Sequence, residues 1–111
     1  MRHIIAPYSK EEIKAYTNNV NYKIIGRKIE LDERRFKIFW NTQIINLFYK
    51  RTGKVIDDFE TTIIDNDIEL LILKEIIEKS SVGYIESRLR DGLQLLVNFA
   101  VQKKSGIIFF F

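Results

Sequence analysis

Between Asp57 and Glu69 the chain carries six carboxylates (Asp57, Asp58, Glu60, Asp65, Asp67 and Glu69) and no base. Acids at that density suit two chemistries, oxygen ligation of a hard cation and general acid–base catalysis by a carboxylate pair. Asp65-Asn66-Asp67 with Glu69 opens like a calcium loop, but Leu70 and Ile76 stand where such a loop needs glycine and glutamate. A metal-dependent nuclease would want Glu-x-Lys on a strand after a leading Asp. The one such triplet, Glu12-Ile13-Lys14, precedes the acids and falls on a predicted helix. No spacing singles out an acid–base pair, and helix capping accounts for Asp65, Asp67 and Glu69 better than a metal does.

The other reactive residue types are scarce. Cysteine is absent, which removes disulfides, thiolate zinc sites and thiol nucleophiles, and fits a reducing, cytoplasmic setting. His3 is the one histidine, and its place beside the initiator suggests plain exposure. Gly26, Gly53, Gly83, Gly92 and Gly106 are isolated turn glycines and form no phosphate-cradling loop. The expectation is a protein without catalytic residues, metal or cofactor, which acts by binding a macromolecule.

Charge narrows the choice of partner. The net charge is +3, yet outside the acidic segment 18 bases face nine acids. Lys23, Arg27, Lys28, Arg34, Arg35, Lys37, Lys50, Arg51 and Lys54 make the first half basic. Phosphate binding needs such bases on one face. On a helix Lys37 shares a face with Arg34, while Arg35 points about 100° away, so the three do not make one patch. Asp57, Asp58 and Glu60 lie too far from any helix start for the macrodipole to explain them, because that effect fades within a turn. Six like charges in a short stretch repel one another, and a cationic partner surface would relieve that repulsion.

The elements that would position these residues follow from pattern. At 111 residues the chain is expected to form a single domain over 1–111, with 46% apolar residues to fill one core. No apolar run reaches the roughly 20 residues that span a bilayer. His3-Ile4-Ile5 reads as a short strand ended by Pro7. Ser9 with Glu12 has capping-box form and starts a helix that ends at Asn18-Asn19. Tyr22 to Leu31 reads as an extended segment or a hairpin. From Glu33 to Arg51, Phe36, Trp40, Ile44 and Leu47 or Phe48 recur at helical spacing, so one long helix is expected, capped by Asp32 and stopped by Thr52-Gly53. Thr61 to Ile64 reads as a strand. A helix capped by one of Asp65, Asn66 or Asp67 runs to about Lys79, before a break at Ser80-Ser81-Val82-Gly83. Tyr84 to Lys104 fits a helix stripe, though Leu93 to Val101 also alternates like a strand. Ile107 to Phe111 is read as a buried strand. The sum is an α+β fold, mainly helical, with about four helices and a small sheet of short strands that includes the C-terminal one.

Thr52-Gly53-Lys54-Val55-Ile56-Asp57-Asp58, Thr61 to Ile64, the acid-capped Leu/Ile helix and Asn98-Phe99-Ala100 before Ser105 to Phe111 resemble the layout of small bacterial immunity proteins. Those proteins neutralise toxins of contact-dependent growth inhibition and other polymorphic toxin systems. The resemblance covers the second half of the chain and carries no catalytic residue. It implies a cytoplasmic protein that binds a cognate toxin, frequently a nuclease, through an acidic surface. The contact residues expected on that reading are Asp57, Asp58, Glu60, Asp65 and Asp67. The alternative expectation is a nucleic-acid-binding regulator that uses the basic first half.

Overall fold

The computed structural model describes residues 2–79 and 87–111. Its elements run β1 (Arg2–Pro7), α1 (Lys10–Asn18), β2 (Gly26–Leu31), α2 (Glu33–Trp40), α3 (Ile44–Thr52), β3 (Thr61–Ile64), α4 (Asp67–Lys79), α5 (Ser87–Gln102) and β4 (Ile107–Phe110). The four strands form one antiparallel sheet in the order β2-β1-β4-β3. The α+β class holds, with the C-terminal strand inside the sheet.

Strand alternation builds two cores, because successive side chains leave opposite faces of a sheet. Ile4, Ala6, Leu31, Ile64, Ile107 and Phe109 point into the larger core with α2 to α5. Ile5 and Ile108 point the other way, where Ile13 of α1 covers them. The last segment is therefore no exposed edge. β4 pairs with β1 and β3, placing His3 opposite Phe110 and Thr61 opposite the same residue.

Most local signals act as their chemistry predicts. Ser9 Oγ accepts the Glu12 N–H, Asp32 Oδ1 accepts the Arg35 N–H, and Gly53 closes α3 at φ +76°. Asn66 is the residue that caps α4, accepting the N–H groups of Ile68 and Glu69 at 2.9 and 3.0 Å. Residues 87–102 form one helix rather than a strand pair. It ends where Lys104 turns left-handed at φ 50° and the Ser105 N–H reaches the Ala100 carbonyl. The expected break at residues 80–83, and the start of that helix at 84–86, lie outside the described residues.

The long helix expected over 33–51 is two helices. Thr42 Oγ1 donates to the Phe39 carbonyl at 2.7 Å and accepts the Ile44 N–H at 3.3 Å. A hydroxyl that takes a helix carbonyl offers the backbone an alternative to the helical bond. The apolar stripe nevertheless continues across the break, with Phe36, Phe39, Ile44 and Phe48 all buried.

Candidate functional site

The acidic segment wraps β3, an outer strand of the sheet. Asp57, Asp58 and Glu60 precede that strand, while Asp65 and Asp67 follow it. Five residue steps separate Glu60 from Asp65, roughly 17 Å in extended chain. The structure thus divides the five expected contact residues into two groups at opposite ends of one edge strand.

Neutralisation divides them again. Asp58 meets Arg2 at 3.3 Å, Asp67 meets Lys10 at 3.1 Å, and Glu69 meets Lys54 at 3.4 Å. Among the described residues Asp57, Glu60 and Asp65 form no ion pair, and all three are exposed. The capping account therefore needs adjustment. Asp65 is neither cap nor ion-paired, and Asp58, expected to await a partner, already has one within the chain.

Between the acids stands a residue that sequence reasoning missed. Phe59 is 83% exposed and holds φ 66°, a conformation that costs a bulky side chain roughly 1–2 kcal/mol. The Asp58 carboxylate accepts the Phe59 N–H at 2.9 Å and steadies the turn. Arg2 lies beneath, its guanidinium 3.9 Å from the centre of the Phe36 ring and 5.9 Å from that of Phe59. No spacing in Asp57-Asp58-Phe59-Glu60 signals this geometry, because it depends on Arg2 of a distant strand.

A concavity lies on the sheet face that carries α1. His3, Tyr16, Tyr22, Lys23, Lys28 and Phe110 contribute to its lining, and its volume is about 360 Å³. His3 stacks on Phe110 with ring centres 4.7 Å apart, so it is not the plainly exposed residue expected from its position. Glu12 braces the rim, accepting the Tyr22 hydroxyl at 2.7 Å and the Ile25 N–H at 2.8 Å. These bonds hold the Glu12 carboxyl below its ordinary range, the Ile25 N–H contributing most, and raise the Tyr22 phenol. Among the described residues no three acidic or histidine side chains are grouped to hold a metal ion. No helix there is long and apolar enough to cross a membrane.

No protein-family model matches the chain, and no curated protein matches its sequence. Among solved structures its fold is similar to that of the Neisseria DNA mimic protein DMP12. The TM-score is 0.64 at 16% identity, covering 99% of this chain and 98% of that one. At that identity the likeness establishes the fold.

The likeness corrects the function expected from the sequence. The solved structure that shares the architecture is a DNA mimic protein, which speaks against the toxin-neutralising role. Four bases of the first half are engaged within the chain. Lys28 pairs with Glu30, Arg51 with Glu75 and Lys54 with Glu69, while Arg27 lies over the Phe99 ring.

Proposed function

We propose that this chain is a binding protein that occupies the DNA-binding surface of a protein partner, using the β3 edge and the loop before it. The observation that carries the reading is Phe59, a solvent-facing aromatic flanked by the unpaired acids Asp57 and Glu60. An aromatic anchor ringed by charge has the make-up of an interface hot spot, in which a desolvated ring supplies affinity and surrounding charges supply selectivity. DNA-binding surfaces are basic, so carboxylates are the charges that match them. The name of the structurally similar Neisseria protein supports the same class of partner. With a net charge of +3, the acidic character belongs to this edge rather than to the whole molecule.

The test begins with proteins from the source cell that immobilised DNA retains. Immobilised wild-type chain should capture one or more of them, and added duplex DNA should release what it captures. A variant carrying Asp57→Lys, Glu60→Lys and Asp65→Lys should keep its fold and lose capture. Captured protein that DNA cannot displace, or equal capture by the charge-reversed variant, would sink the reading.

A further inference from the structure

We propose that the groove beside α1 is a binding site for a small, flat aromatic ring that bears an anionic group. The groove uses none of the residues assigned above to partner binding, so this inference stands apart from that reading.

The two central strands supply its floor. His3 of β1 and Phe110 of β4 are cross-strand partners whose rings stack, and both side chains are only partly buried. Tyr16 of α1 meets Phe110 edge-on, with ring centres 5.5 Å apart and planes at 86°. Ring pairs favour stacked or edge-to-face contact, and this cluster offers both to an incoming ring. A cluster serving only to close the sheet face would bury its rings. Here α1 seals Ile5 and Ile108 but leaves His3, Tyr16, Tyr22 and Phe110 half-covered around a space of about 360 Å³. That volume lies at the small end of the range for ligand clefts.

Charge selects the other half of the ligand. Lys23 and Lys28 line the groove, and Lys23 has no ion pair among the described residues. Nearby carboxylates are already engaged, Glu30 with Lys28 at 3.2 Å and Glu12 with the Tyr22 hydroxyl and the Ile25 N–H. A flat ring with an anion placed towards the lysines satisfies both features, and a neutral ring or a bare anion satisfies one.

Adenosine 5′-monophosphate is the probe, titrated into the full chain and followed by two-dimensional amide NMR. Adenosine and ribose 5-phosphate serve as half-ligands. The expected result is saturable shifts at His3, Tyr16, Lys28 and Phe110, with both half-ligands binding more weakly. Lys23→Ala with Lys28→Ala removes two exposed charges and should weaken binding by about tenfold, the rest of the spectrum being unchanged. No saturable shift at millimolar probe overturns the proposal, as does equal binding by either half-ligand. A short single-stranded oligonucleotide that binds far more tightly than the mononucleotide also overturns it, by assigning the groove to a polymer.

Discussion

Arg2 and Asp58, 56 positions apart in the chain, meet at 3.3 Å and tie the first strand to the loop that presents Phe59. The guanidinium also stacks on Phe36 and lies 3.7 Å from Glu33. One side chain thus fixes the loop to α2. Arg2→Ala is expected to cost about 2 kcal/mol, the scale of a hydrogen bond to a charged group. Faster proteolysis between residues 54 and 60 should accompany the lower urea midpoint. Arg2→Lys should recover only part of the loss, since an ammonium cannot stack as a planar guanidinium does. Full rescue by lysine would show that charge alone matters.

Phe59 sits in a left-handed conformation that favours glycine. Phe59→Gly should therefore raise the unfolding free energy, by up to about 1 kcal/mol once the extra freedom of unfolded glycine is deducted. Phe59→Ala keeps the strain and should be no more stable than wild type. Denaturant curves of the three proteins decide it, and a glycine variant less stable than the alanine variant would mean that the turn is not strained.

The Glu12 and Tyr22 link gives a pH dependence with a definite sign. Glu12 titrates below its ordinary 4.5, so its contribution is complete above that value and disappears as pH falls through the depressed one. Tyr22 titrates above its ordinary 10.0, so its contribution is present below that value and is lost as pH rises through the raised one. Glu12→Gln should lower Tm at pH 7, and the gap from wild type should narrow as pH falls below 4.5. Melting followed by circular dichroism from pH 3 to 8 makes the comparison. A constant gap would place the effect of Glu12 in packing rather than ionisation.

Two glycines make a contrasting pair. A Cβ on Gly26 would lie 2.3 Å from the Ala6 carbonyl oxygen, whereas one on Gly53 would meet nothing. Gly26→Ala should cost about 1–3 kcal/mol through overpacking between strands. Gly53→Ala should cost about 1 kcal/mol from its φ of +76° alone. Urea midpoints measure both, and the order is the informative result.

Phe109 is buried between β1 and β3 and stacks with Phe39 at 6.1 Å. Phe109→Ala is expected to cost about 3–5 kcal/mol, a large part of the stability of a domain this size. A loss below about 1 kcal/mol, measured by chemical denaturation, would mean that the core collapses into the space.

What could be read from the sequence was what neighbours along the chain decide. Ser9, Asp32, Asn66 and Gly53 act on backbone groups within a few residues, so their positions announced helix ends. The apolar run Ile107 to Phe111 announced a buried strand. Thr42 did not announce its break, because threonine is tolerated in helices and its bond to Phe39 forms only where the two helices must turn. The site was half legible for the same reason. Composition exposed the acidic segment, but its division into paired and unpaired acids depends on Arg2, Lys10 and Lys54, which the fold brings from elsewhere. Phe59 and the stacking of His3 on Phe110 have no local signature at all.

The place of β4 has a consequence for the order of assembly. The last strand in the chain lies between β1 and β3, and neither partner is near it in sequence: Ile107 pairs with Ile64, and Phe110 with His3. The β1–β2 pair and the helices can form early, but the sheet cannot close until the ends of the chain meet across more than a hundred residues. Such closure is slow, because distant contacts give nothing back until the whole loop has been ordered. Until then the apolar edges of β1 and β3 stand open, and the half-assembled chain is the form most prone to stick to its own kind.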